Sequence, residues 1–225
     1  MELRQVYVSG ALTNSNHKPF YEAIGHVLNK LGYSSYIPHQ FTDPVNNKTI
    51  TPKEVYEKDM LTIDASSFLV AWLGSPSLGV GAELERANSN HTPIVVLYPF
   101  GTHISNFVLG LPCIYKVIEY KDERSALFEL YHTFSQIHKV FPFYNVPIVE
   151  YRQAYYQEML KLETSKNFRA WVGEPSFEVG MKLEHANLCN IPTSLVHQEN
   201  ALISRLILGC PCVSQHIIAD SMEEI

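Results

Sequence analysis

The chain has 225 residues, 46% of them hydrophobic and 18% charged, with a formal net charge of −6. This is the composition of an ordinary globular protein, long enough for one sizeable α/β domain or two small lobes, and it excludes a disordered chain. The acidic balance offers no basic footprint for nucleic acid, and no apolar run reaches the roughly eighteen residues that span a bilayer.

The start, "MELRQVYVSGAL", has an early acidic residue and no long apolar stretch, so no secretory signal is expected there. With that start and four cysteines (Cys113, Cys189, Cys210 and Cys212) the expectation is a cytoplasmic protein with reduced thiols. "LRQVYVSG" reads as a first buried strand, and "KPFYEAIGHVLNKLG" as a helix, with Phe20, Ile24, Val27, Leu28 and Leu31 at helical spacing. "YSSYIP" is a second strand, and "HQFTDPVNNKTITP" a polar loop. In "TPKEVYEKDMLTIDAS" Thr51 caps a helix, Pro52 occupies its first turn and Glu54 completes a capping box. The strand "SFLVAWL", a Gly-rich turn, the helix "GAELERANSN" and the strand "TPIVVLY" follow. A short helix at 103–109, the strand "CIYKVIEY" and a long amphipathic helix at 121–140 close the series. Strands alternating with helices predict a doubly wound α/β fold on a parallel sheet.

From about residue 149 the pattern restarts partway through. "AWLGSPSLGVGAELERAN" (71–88) aligns without a gap on "AWVGEPSFEVGMKLEHAN" (170–187), with eleven of eighteen positions identical. The same offset of 99 positions sets "VYEKDML" (55–61) against "AYYQEML" (154–160), and "ISNFVLGLPCI" (104–114) against "ISRLILGCPCV" (203–213). This is an internal repeat whose second copy lacks the first strand–helix–strand unit. The expected division is a complete lobe over 1–140 and a truncated repeat lobe over 149–225, joined by the apolar stretch 141–151 and tightly packed. "CPC" at 210–212 lacks the usual zinc spacing, and Cys113 and Cys212 are equivalent in the repeat, so they read as buried thiols.

In "GSPSLGVGAELERA" a helix is expected to start near Gly79 to Gly81. Its free N–H groups and the Ser77 hydroxyl would form an anion site, and the glycines would allow close backbone approach. Glu83 then falls in the first turn, where the helix dipole favours an ionised carboxylate, which makes it a cap or a candidate nucleophile for glycosidic chemistry. Asp59, near the middle of the preceding helix, is a poor helix former there, and Tyr7 in the first strand needs a partner for its hydroxyl. The histidines show no metal-ligand or triad spacing, so neither a metal nor a cofactor is expected.

"VYVSGALT", "YEKDML" and "PSLGVGAELERA", in that order, resemble the nucleoside 2-deoxyribosyltransferase superfamily, and within it the 2'-deoxynucleoside 5'-phosphate N-hydrolases. The likeness runs from residue 5 to about 118 and reaches the second half only through the repeat. It implies a Rossmann-like parallel sheet and an enzyme that cleaves the N-glycosidic bond of a nucleoside or nucleoside 5'-monophosphate, with a 2'-deoxy sugar expected. Water or a second base would resolve the glycosyl-enzyme ester. Glu83 matches the family's nucleophile, Asp59 the group that binds a sugar hydroxyl or assists the leaving base, and Tyr7 the residue that orients Glu83. Ser77 matches a serine that helps to hold a 5'-phosphate, with Ser9, Gly10, Gly79 and Gly81 as further substrate contacts. The phosphate-binding hydrolases carry a serine and an arginine where "SGALTN" has Ala11 and Thr13. His39, Gln40 and Asp43 are candidate base contacts.

Family members are usually homo-oligomers in which a neighbouring subunit supplies a polar residue to the site. The matching position is Ser105 in the first copy and Ser204 in the second. The expectation is an internal pseudo-dimer in which the first lobe carries the chemistry and the second donates Ser204. At the second lobe's own site Lys182 replaces Glu83, Glu178 replaces Gly79 and Glu158 replaces Asp59. The alternative is a silent nucleotide-binding or scaffold protein of the same fold.

Overall fold

The computed structural model describes residues 4–12, 16–43, 47–137 and 149–221. Thr13 and most of the expected linker, 141–148, lie outside the described residues. Among the described residues no helix is long and apolar enough to cross a membrane.

The first half runs β1 (Gln5–Ser9), α1 (Lys18–Lys30), β2 (Ser34–Tyr36), α2 (Pro52–Asp64), β3 (Phe68–Trp72) and α3 (Leu78–Ser89). It continues with β4 (Ile94–Pro99), α4 (Asn106–Leu109), β5 (Ile114–Tyr120) and α5 (Glu123–Ile137). The five strands are parallel in the order β2-β1-β3-β4-β5. Period-two alternation divides their side chains between two cores. Val6, Val8, Val70, Trp72, Val95 and Leu97 face α1 and α5, while Tyr7, Leu69, Ala71 and Val96 face α2 and α3. The expected capping box forms: the Thr51 hydroxyl accepts from the Glu54 N–H, and the Glu54 carboxylate accepts from the Thr51 N–H at 2.7 Å.

The second half runs α6 (Val149–Glu163), β6 (Phe168–Trp171), α7 (Phe177–Leu188), β7 (Thr193–His197), α8 (Arg205–Leu208) and β8 (Val213–Ile218). Its strands make a separate parallel sheet, β6-β7-β8. Ala170, Val172, Phe177, Met181 and Leu183 complete the core on the α2–α3 face of the first sheet, so one apolar interior serves both halves.

The contacts across this seam come in pairs related by the sequence offset. Tyr56 donates to Glu184 at 2.7 Å and Tyr155 to Glu85 at 2.8 Å. Asn187 donates to the Tyr56 hydroxyl at 2.6 Å and Asn88 to the Tyr155 hydroxyl at 2.8 Å. Gly81 abuts the carbonyl of Phe177 and Gly180 that of Leu78, while Gly110 abuts the carbonyl of Tyr151 and Gly209 that of Pro52. Such reciprocity, residue i on j and j on i, is the contact pattern of a two-fold interface.

At Gly81 and Gly180 a β-carbon would run into main-chain carbonyl oxygen and carbon atoms that cannot rotate aside. Gly81→Ala and Gly180→Ala should therefore each cost about 1–3 kcal/mol, as overpacking of a rigid contact does. Thermal denaturation should show a drop of several degrees for each variant. An unchanged melting temperature would mean that α3 and α7 do not cross this closely.

Candidate active site

In a parallel sheet, ligand crevices open beyond the carboxyl ends of the strands, at the point where the strand order reverses. Here that point lies between β1 and β3. β1 ends in Ser9, with Gly10 following, and β3 leads through the Gly/Pro/Ser turn into α3. A cavity of about 410 Å³ occupies this place, within the range usual for small-molecule sites. Gly10, Asp59, Ser77, Gly79 and Glu83 line it from the first half, and Ile203, Ser204, Arg205 and Leu206 line it from the second.

The N-cap of α3 is Ser77, whose hydroxyl accepts from the Val80 N–H, so the helix begins at Leu78. Glu83 consequently lies in the second turn, and the expected first-turn position and its dipole stabilisation do not apply. Its side chain points back to the sheet and is 5% exposed. The Tyr7 hydroxyl donates to Oε1 at 2.8 Å and the Ser9 hydroxyl donates to Oε2. Tyr7 thus finds its partner in Glu83 and stacks on Tyr36, ring centroids 5.4 Å apart.

Asp59, 2% exposed, accepts from the Tyr36 hydroxyl at 3.0 Å and from Thr42 at 3.4 Å. Burial pushes its carboxyl up to about 6, against the opposing pull of the Tyr36 and Thr42 hydrogen bonds. Glu83 is pushed up to about 8, first by burial and then by the Asp59 charge, against the opposing pull of Ser9 and Tyr7. Two carboxyl groups on one cavity wall, both raised, hold a proton between them near neutrality.

Lys18 and Asp43 also line the cavity and are paired with each other. The Arg205 guanidinium donates to the Asn47 carbonyl at 3.1 Å. Ser204 is near the α3 N-terminus: a β-carbon on Gly79 would sit 3.3 Å from its hydroxyl. Of the expected substrate contacts, Ser9, His39, Gln40 and Gly81 do not line the cavity; Ser9 is fully buried with its hydroxyl on Glu83. Gly81 is in the α3–α7 crossing, where its missing side chain serves packing. His39 is buried beside Tyr21, with Nε2 3.2 Å from Glu22, and does not line the cavity. Tyr36, Thr42, Lys18 and Arg205 had no motif to mark them, although Arg205 is the immediate neighbour of Ser204.

At the equivalent place in the second half, Lys182 donates to Glu158 at 2.9 Å and lies over the Phe107 ring, 5.4 Å from its centroid. Hydrogen bonds from Lys161 and Lys182 pull Glu158 down to about 2.

Because folding raises the Glu83 carboxyl, the folded chain holds a proton that the unfolded chain releases between about pH 4.5 and pH 8. Stability therefore falls as pH rises through that window, and the loss is complete above it. Glu83→Gln removes the ionisation. Its melting temperature should exceed that of the wild type by several degrees at pH 8.5 and converge on it towards pH 5. A gap that is constant across this range would show that Glu83 is not buried as a raised carboxyl.

No protein-family model matches the chain. Over 131 residues it is 27% identical to a protein of Methanosarcina mazei provisionally named 2'-deoxynucleoside 5'-phosphate N-hydrolase 1, covering 56% of this chain and 81% of that one. Over 109 residues it is 27% identical to the like-named protein of Methanococcoides burtonii, covering 47% and 89%. Among solved structures, the CMP N-glycosidase of Clostridium botulinum matches with a TM-score of 0.46 at 19% identity, covering 56% of this chain and 97% of that one. In sequence the chain is thus similar to proteins that bear the N-hydrolase name, in keeping with its resemblance to the nucleoside deoxyribosyltransferase superfamily.

Proposed function

We propose that this protein is an enzyme that cleaves the N-glycosidic bond of a nucleoside 5'-monophosphate, with a 2'-deoxy sugar preferred, through an ester on Glu83. The observation that carries this reading is the Glu83 carboxylate itself, buried at the floor of the switch-point cavity and held by two hydroxyl donors. Glu83 attacks the anomeric carbon as the bond from that carbon to the base nitrogen breaks. Asp59 supplies a proton to the departing base. Water, or a second base, then attacks the same carbon and returns the carboxylate, with Asp59 taking up the proton.

The reactive form of the pair is Glu83 ionised with Asp59 protonated. It is the minor singly protonated form of the free site, where Glu83 holds the proton more tightly than Asp59, and the Tyr7 and Ser9 hydrogen bonds narrow that gap by stabilising the Glu83 anion. Since that form carries a single proton on the pair, kcat/KM should be bell-shaped, with flanks near 6 and 8. In Asp59→Asn the alkaline flank should vanish and the rate should fall by about 10²–10⁴-fold, the usual contribution of a positioned acid. A bell that survives in this variant would remove Asp59 from proton transfer.

A 5'-phosphate is favoured by the part of the cavity where the α3 N-terminus and Ser77 meet Ser204 and Arg205. The relatives' names point to the same substrate class. Arg205 brings a cation from the second half, whereas the family arginine expected after the first strand is absent from "SGALTN". We further infer that 1–140 is the catalytic lobe and 149–225 a truncated, inactive repeat that stands where an oligomer's second subunit would. The paired contacts across the seam and the Lys182–Glu158 ion pair in place of two free carboxyls support this.

The deciding measurement is release of free base from ribo- and deoxyribonucleosides and their 5'-monophosphates, with and without a second base. Wild type should release base from a monophosphate, and Glu83→Ala should abolish release. Arg205→Gln should raise KM for monophosphates by about 10- to 100-fold, as loss of a charge-assisted hydrogen bond does, and leave nucleosides unaffected. Absence of release from every substrate would favour a silent nucleotide-binding protein. An equal effect of Arg205→Gln on nucleosides would separate Arg205 from the phosphate.

A further inference from the structure

The internal repeat supplies its own control at a second cluster, which shares no lining residue with the Glu83 cavity. In the first copy, Arg86 of α3 forks onto Asp64 of α2, with Nε at 2.8 Å and Nη2 at 2.6 Å, and reaches Glu184 of α7 at 3.4 Å. Asn90, one turn on, donates to the Asp64 carbonyl at 3.2 Å. A permanent cation neutralises two carboxylates. At the three equivalent positions the second copy has His185, Glu163 and Cys189. Each is a side chain of metal-ligating type, and the permanent cation is gone.

The ligand atoms of Glu163, His185 and Cys189 all lie within 4.8 Å of one another. His185 and Cys189 are four residues apart at the end of α7, so both project from one face, and Glu163 ends α6 beside them. His185 Nε2 lies 3.0 Å from Glu163, while Nδ1 lies 2.9 Å from Glu85. Glu85 is buried, and the Tyr155 hydroxyl fixes it through contacts of 2.8 and 2.9 Å to its two oxygens. A buried carboxylate that holds one imidazole nitrogen and aims the other at a ligand cluster is the usual outer support of a metal-binding histidine. The adjoining cavity, lined by Tyr155, Leu188 and His91, leaves room for a fourth ligand such as water.

We propose that Glu163, His185 and Cys189 bind a divalent cation of the zinc type, oriented by Glu85 through His185, on the seam between the two halves. Mixed nitrogen, sulfur and oxygen donors select this class over calcium or magnesium. The ion takes the neutralising place that Arg86 has in the first copy. Spacing along the chain gave no metal signal, because Glu163 comes from a different helix.

The test is titration of the full chain with Co²⁺ as a spectroscopic stand-in, followed by Zn²⁺ in thermal denaturation. One Co²⁺ per chain should bind with a thiolate-to-cobalt charge-transfer band, and Zn²⁺ should raise the melting temperature. Cys189→Ser, at an exposed helix end, should lose both effects. Glu85→Gln should keep the band and weaken affinity by about 10- to 100-fold, as loss of outer support does. The band should persist in Cys210→Ser and Cys212→Ser, whose sulfurs lie 3.4 Å apart elsewhere. The surface pair His197 and His216 has no sulfur and would give no such band. Absence of the band overturns the proposal. So does a band that survives Cys189→Ser, or an equal Zn²⁺ effect on wild type and that variant.

Discussion

The crossing of α3 over α7 is the contact on which the rest of the molecule depends. At Gly81 and Gly180 each helix presents bare backbone to the other's carbonyl, so the axes approach more closely than any side chain would permit. That approach seals the apolar interior between the two sheets and brings α8 down over the carboxyl end of β1 and β3. Without it the cavity that Glu83 lines would lose the wall formed by Ile203, Ser204, Arg205 and Leu206.

The Glu83 environment illustrates how opposing effects set a working value. Burial and then the Asp59 charge raise the carboxyl to about 8, while two hydroxyl donors, from alternate residues of the same strand, pull in the other direction. Tyr7 and Ser9 reach one carboxylate because side chains i and i+2 of a strand share a face. Asp59 is raised less, held by a tyrosine and a threonine from β2 and the loop after it.

Much of this was legible in the sequence where the cause is local. Strand and helix periodicity marked the parallel sheet, the Thr51–Glu54 pair marked the start of α2, and the repeat marked the two matching halves. Tyr7 and Glu83 were visible as a strand tyrosine and a carboxylate after a Gly-rich turn, although their 2.8 Å contact spans 76 residues and has no local signature. What was not legible depends on the seam. Ser77 as cap moved the helix start ahead of the glycines, so Glu83 fell a turn deeper than expected. Gly81 looked like a ligand-binding glycine because a bare backbone suits a phosphate or a helix crossing equally well. His39, in a polar loop, turned inwards against Tyr21 and Glu22. Arg205 was hidden because only the packed pair of halves brings α8 to the first sheet.

Joining the halves in one chain has a consequence for how the molecule changes over generations. In an assembly of identical copies, any substitution appears at every equivalent position, so a residue useful on one side must be tolerated on the other. Here the sides are encoded separately. Gly79 keeps its place beside Ser204 while Glu178 stands at the matching position, and Arg205 faces the cavity while Asn106 starts the matching helix. A substitution at the rim of the Glu83 cavity can then be selected without changing the matching place in the other half.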